Sequence, residues 1–244
     1  MSRPQPNSAV LQAKLRRTRF VVVALVAAIL FLGVVALARG ESEATPLASP
    51  GATGSATEAQ QKPRIERRDA NDPAAIGSVD APVVLTEWTD LRCPFCAQFG
   101  RETFPSIVQD YVDSGKVRVE FRDVAFFGEQ SEQASVAAHA AGRQGLFAAY
   151  LDTVFRAAPE SGHPDLPREK LLDFARTAQV PDLARFEADL DDPSLLQAVQ
   201  QETVSAQRLG VTSVPFFVAD GTAISGAQPA DHFRSFLDSA LAGA

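Results

Sequence analysis

Cysteine is nearly absent from this 244-residue chain: two residues in all, three positions apart, as Cys93-Pro94-Phe95-Cys96. A fold stapled by several disulfides is excluded, and a bridge between such close residues would remove little entropy from the unfolded chain. Histidine is scarce as well: His139, His163 and His232 lie far apart and make no ligand spacing. With no second cysteine pair, the four-ligand set of a structural zinc site is not assembled. Acidic residues are missing before Glu41, and charge of either sign is missing from Phe20 to Ala38. Internal repeats of solenoid period are lacking too. What the two cysteines can do at this spacing is form and break a small-ring disulfide, a two-electron switch. A metal-binding pair and an inert pair stand as the alternatives to redox chemistry.

The uncharged run FVVVALVAAILFLGVVALA, residues 20–38, would span roughly 28 Å as a helix, close to the hydrocarbon thickness of a bilayer. Lys14, Arg16, Arg17 and Arg19 precede it, which places residues 1–19 in the cytoplasm and the rest outside. The sequence therefore predicts a single-pass membrane anchor with an extracytoplasmic domain. A cleaved signal peptide, with Ala36-Leu37-Ala38 as its cleavage site, is the alternative, although its apolar core would be longer than usual. Residues 39–63 are rich in Ser, Ala, Thr, Pro, Gly and Glu and read as a flexible linker. Residues 64–244 are long enough for one domain with its own core. Six of the 23 basic side chains and none of the 30 acidic ones lie in residues 1–39, so the remainder carries 17 basic against 30 acidic groups. That sign argues against nucleic acid as a partner.

Within 64–244 the periodicities alternate. Val83-Val84-Leu85 opens a run with the pattern of a strand buried on both faces. A helical stretch follows the cysteines, with Phe99, Ile107, Val108, Tyr111 and Val112 on one side, a kink expected at Pro105 and an end at Ser114-Gly115. Val117, Val119 and Phe121 alternate with Arg118, Glu120 and Arg122 in a second strand. From about 129 to 210 the pattern is helical, clearest in the stripe Leu146, Phe147, Tyr150, Leu151, Val154 and Phe155. Further helices are expected at 168–178, 182–190 and 194–209. Residues 215–218 and 222–226 form a strand pair about Asp220-Gly221, and Phe233, Phe236, Leu237, Ala240 and Leu241 mark a closing helix. Such mixed order suits an α/β sandwich with an added helical layer.

This order around a CPFC pair resembles the DsbA-like thiol:disulfide oxidoreductases, in their membrane-anchored branch. Three pieces carry the resemblance: Ala81-Pro82-Val83 through Glu87-Trp88-Thr89-Asp90 to the cysteines, Phe121-Arg122-Asp123, and Gly210-Val211-Thr212-Ser213-Val214-Pro215-Phe216-Phe217. It implies a thioredoxin fold with a helical insertion between the second strand and a cis-proline loop at Val214-Pro215 that faces the cysteines. It also implies catalysis by Cys93 and Cys96 as a reversible disulfide, without metal or cofactor, and a buried acid at Glu87 that moves a proton for Cys96. Implied partners are exported proteins with free thiols and a quinone-linked membrane oxidase, of the DsbB or vitamin-K-epoxide-reductase type, that restores the disulfide. Two departures bear on potential and substrate choice. Phe95 stands where the best-known members carry histidine between the cysteines, and Ser213-Val214 replaces the Gly-Thr common in the membrane-anchored branch.

Cys93 is expected at an exposed helix mouth with Pro94 in the first turn, where unpaired N–H groups favour its thiolate. Arg92 could add to that effect and Asp90 oppose it. Glu87 has a second reading, as a strand-end carboxylate in water or paired with Arg122. Same-fold alternatives to an oxidase are a disulfide reductase, including one serving cytochrome c maturation, and an isomerase, for which residues 40–70 supply no dimerisation domain. A non-catalytic binding domain and a cysteine hydrolase are further alternatives, the latter lacking any signature of a partnering base.

Overall fold

The computed structural model describes residues 65–244; the expected anchor, linker and first domain residue lie outside the described residues. Among the described residues no helix is long and apolar enough to cross a membrane.

A five-stranded sheet forms the centre, in the order β1-β3-β2-β4-β5. β1 is Ala75–Ile76, β2 is Val83–Thr89, β3 is Val117–Asp123, β4 is Phe216–Ala219 and β5 is Thr222–Ser225. β2 and β3 run parallel, and the other pairings are antiparallel. All seven residues of β2 are buried, as expected of a central strand covered on both faces. Its register sets Glu87 between Phe121 and Phe217, and Trp88 between Arg122 and Phe216.

The crossover from β2 to β3 begins with α1, Pro94–Glu102, and breaks at Thr103 before the short α2, Phe104–Ile107. Pro105, in the first turn of α2, cannot donate to the preceding turn, which is the physical reason for the break. A π-helical turn, Val108–Val112, ends the segment, and Gly115 leaves it with a left-handed φ of 72°. Phe99 of α1 packs on Phe217 and Phe233, with ring centroids 4.6 and 4.8 Å away.

Five helices lie between β3 and β4: α3, Glu129–Gly142; α4, Phe147–Ala157; α5, Arg168–Thr177; α6, Leu183–Asp189; and α7, Pro193–Arg208. They are the helical insertion. Asp182 and Asp192 cap α6 and α7 by accepting from Arg185 N and Ser194 N. α1 lies close against α4: a Cβ at Gly100 would stand 2.7 Å from Phe155 Cδ2. Asp220-Gly221 turns the chain from β4 to β5 with positive φ at both positions, 45° and 69°, the geometry of a tight two-residue hairpin. α8, Ala230–Gly243, closes the fold.

The polar residues of β3 depart from simple alternation. Arg118 and Glu120 are as buried as their apolar neighbours and pair at 3.0 Å. Residues 67–69 cover them: Arg67 N and Arg68 N donate to the two Glu120 oxygens at 2.7 and 2.8 Å, and Arg118 Nη2 donates to the Asp69 carbonyl. An isolated carboxylate at this depth would be costly, and three donors, the Arg67 and Arg68 amides and Arg118 Nε, make it tolerable.

Candidate active site

Cys93 is the N-cap of α1, and its sulfur accepts from the Cys96 N–H at 3.4 Å. Pro94 occupies the first turn, where a missing N–H costs nothing. Both cysteines are free thiols. Contrary to an exposed helix mouth, Cys93 is only 2% exposed; its sulfur meets solvent through a groove rather than on the open surface. Cys96, one turn inward, is fully buried.

The loop before β4 comes to the same place. The Val214-Pro215 peptide bond is cis, and the Cys93 thiol donates to the Val214 carbonyl at 3.5 Å. A groove of about 1130 Å³ runs past Cys93, lined by Pro94, Phe95, Phe126, Phe127, Val211 and Val214 among others. Phe95 is 60% exposed, a large apolar ring left in solvent at the lip of the groove. An exposed ring joined to an apolar groove marks a surface that receives a partner.

The two thiols are driven apart electrostatically. Hydrogen bonding from the Cys96 thiol draws the Cys93 pKa below its ordinary value; burial opposes this, and N–H groups of Cys96 and Phe95 add to it. Burial pushes the Cys96 thiol well up, reinforced by its contact with Cys93. Cys93 is thus the group that carries negative charge when a proton leaves the pair, and Cys96 the group that keeps one.

Glu87 lies apart from the groove, 1% exposed on β2, and burial raises its pKa to about 8. It neither faces bulk solvent nor pairs with Arg122, which pairs with Glu202 at 3.0 Å. Among the described residues Glu87 Oε2 and the Thr89 hydroxyl form no well-aligned hydrogen bond. Thr89 is nevertheless near enough for its hydroxyl to act against the rise in the pKa of both Glu87 and Cys96. A cavity of about 20 Å³ adjoins Glu87 beneath Phe99, Gly100 and Phe104, room for about one water molecule.

Three residues hold the turn before Cys93: Asp90 opposes the thiolate as expected, Arg92 has partners its sequence reading did not include, and His163 was not read as a site residue. Asp90 is fully buried and accepts from Arg92 N, Phe126 N and the Ser131 hydroxyl at 2.8–2.9 Å. It ties the cysteine turn to the loop after β3, and its charge opposes the Cys93 thiolate. The Arg92 guanidinium donates to the carbonyls of Pro164 and Phe127 at 2.9 and 2.6 Å, not to the Cys93 sulfur. His163 completes this junction: Nδ1 meets the Arg92 carbonyl at 2.9 Å, and the ring lies 4.0 Å from that of Phe127. Nothing in the sequence pointed to a loop 70 residues beyond the cysteines, whereas a charged Asp90 ending a buried strand was a usable signal.

The histidines do not converge with the cysteines on a metal. His139 pairs with Asp123 at 2.8 Å, His163 is held by Arg92, and no cluster of three His, Cys, Asp or Glu side chains able to hold a metal occurs among the described residues.

Comparison with known proteins places this geometry in context. A family model described as thioredoxin matches residues 69–239. Disulfide bond formation protein D of Bacillus subtilis is 24% identical over 170 residues, covering 69% of this chain and 77% of the relative. A probable disulfide bond formation protein D of Bacillus anthracis is 26% identical over 151 residues, covering 60% of this chain and 69% of the relative. The crystal structure of oxidised BdbD from Bacillus subtilis superposes with a TM-score of 0.64 at 23% identity, over 70% of this chain and 93% of that one. Wolbachia pipientis alpha-DsbA1 superposes at 0.62 and 20% identity, over 70% and 91%. These likenesses establish the α/β thioredoxin-like fold with its helical insertion.

Proposed function

Because the chain belongs to this thioredoxin family, and within it to the DsbA-like disulfide bond formation proteins, we propose that it oxidises thiols of exported proteins through Cys93 and Cys96. It is a thiol:disulfide oxidoreductase. The observation that carries the site assignment is the placement of a low-pKa Cys93 at the foot of an apolar groove, beside a backbone carbonyl of the Val214 loop and above a high-pKa Cys96.

In the oxidised enzyme a substrate thiolate attacks Cys93 Sγ, the Cys93–Cys96 bond breaks, and the electron pair leaves on Cys96. Cys96 cannot hold that charge in its buried site and takes a proton. Glu87, protonated near neutral pH, supplies it by way of Thr89 and regains one later. The second substrate thiolate then attacks the substrate sulfur of the mixed disulfide, and Cys93 leaves as a thiolate. The substrate has lost two electrons and the enzyme holds them as a dithiol. Val214 offers its backbone to an extended substrate segment, and Pro215 holds that segment's approach. Phe95 in place of a cation between the cysteines, with Arg92 engaged elsewhere, makes Cys93 a milder oxidant than a histidine-bearing site would be.

The catalytic domain works outside the cytoplasm, held by residues 20–38 as a membrane anchor, and a quinone-linked membrane oxidase removes the two electrons. Support for this comes from the 19 uncharged residues with basic flanks and from the family's oxidative role.

The reading is tested with a reduced, unfolded protein substrate and pre-oxidised enzyme. Disulfides should form stoichiometrically, Cys93→Ser should reduce the rate to the uncatalysed one, and Cys96→Ser should accumulate mixed disulfides through Cys93. Alkylation that modifies Cys96 faster than Cys93 at neutral pH would reverse the assigned roles.

A further inference from the structure

One wall of the groove takes no part in the thiol chemistry. It is the loop between α4 and α5, and its position is fixed: Arg92 donates to Pro164, His163 is bonded to Arg92, and the His163 ring lies on Phe127. On this pinned wall Glu160 is exposed, lines the groove, and has no ion pair or hydrogen bond among the described residues. Among the described residues it is the only Asp, Glu, Lys or Arg side chain in the lining. The other titratable group there, His163, is engaged with the Arg92 carbonyl and Phe127. The rest of the lining is apolar or neutral, as in Phe95, Phe126, Val211 and Thr212.

A carboxylate without a partner among the described residues, on the same groove as a reactive thiol and on a loop anchored at His163 and Pro164, discriminates among whatever enters. Resting on the disulfide-forming reading of the site, we propose that Glu160 is a specificity-determining residue that favours substrate segments with a lysine or arginine near the reacting cysteine, the apolar neighbours of that cysteine resting on Phe95 and Phe126. The long-range field works in the same direction, because the chain beyond residue 39 carries 17 basic against 30 acidic groups. A surface of that sign draws cationic segments toward it and repels acidic ones.

The test uses the full-length protein in detergent, pre-oxidised, under single-turnover conditions. Two dithiol peptides are compared that differ only in one residue, lysine or glutamate, close to the first cysteine, with dithiothreitol as an uncharged control. At low ionic strength the second-order rate constant should favour the lysine peptide about two- to five-fold, the range expected of a solvent-screened ion pair. The preference should shrink at high salt, vanish in Glu160→Gln and invert in Glu160→Lys, while dithiothreitol oxidation stays unchanged in all three proteins. Equal rates in the wild type, or a preference that survives Glu160→Gln, overturn the role of Glu160 alone. Failure to oxidise either peptide or dithiothreitol overturns the disulfide-forming reading and this inference with it.

Discussion

Replacing Glu87 with glutamine should remove a pH-dependent loss of stability. Burial lifts the Glu87 pKa from an ordinary 4.5 to about 8, so the folded protein keeps this carboxyl protonated where the unfolded chain has released the proton. The unfolded state binds fewer protons through that window, and stability therefore falls as pH rises from about 4.5 to about 8. Each pH unit costs about 1.4 kcal/mol, so the step from pH 5 to pH 7.5 costs about 3 kcal/mol through this one group. Glutamine has nearly the same shape and no titration. Its absolute effect depends on how its amide is accommodated, but the pH slope does not. Urea unfolding of the wild type and Glu87→Gln, both with the thiols reduced, should give a stability difference that moves in favour of the variant by about 3 kcal/mol between pH 5 and 7.5. The thiols are common to both proteins, and their titration largely cancels in the difference. A difference that stays constant with pH would mean that Glu87 is ionised in the fold, and with it the proton supply assigned to Cys96 would fail.

Asp123→Asn should cost about 2 kcal/mol at pH 6 and distinctly less at pH 9, read from urea unfolding. Burial works against both charges, but the His139 charge and hydrogen bond hold Asp123 below its ordinary 3.8, and Asp123 raises His139 above 6.5. The pair contributes fully between those two values; it is lost as pH rises through the raised histidine or falls through the lowered aspartate, and an equal cost at both pH values would contradict it. In cells the mature chain should remain in the membrane fraction after a carbonate wash; recovery of a soluble species beginning near Arg39 would instead identify residues 20–38 as a cleaved signal.

The parts of the fold legible in the sequence were those with an undivided local cause. The all-apolar opening of β2, the helical stripe at Leu146–Phe155 and the Asp220-Gly221 turn each state their structure within a few residues. Less legible was whatever depended on distant covering. Arg118 and Glu120 alternate with apolar neighbours as if facing solvent, yet residues 67–69 return across them and bury both. The two-residue β1 is too short to leave a periodic trace. At the site, the cysteines and the Val214 loop carry their own pattern, while the partners of Arg92 are illegible because they are backbone carbonyls at 127 and 164, which have no signature in a side-chain sequence. Glu160 and His163 were invisible as site residues for the same reason: a loop is brought to the groove by bonds its own residues do not advertise.

The stitching of residues 65–69 onto β3 has a mechanical consequence. The Ile65 carbonyl accepts from Arg122, and the Arg67 and Arg68 amides grip Glu120, so the first described residues are fastened along one margin of the sheet. In the order β1-β3-β2-β4-β5, that margin is separated by β2 from β4 and the loop that leads into it. A pull arriving along the chain from its N-terminal side would be carried in shear by the amide–carboxylate and guanidinium–carbonyl bonds on β3. The Val214 carbonyl stands before β4, across the central strand from that fastening, so such a pull would reach it only by way of β2.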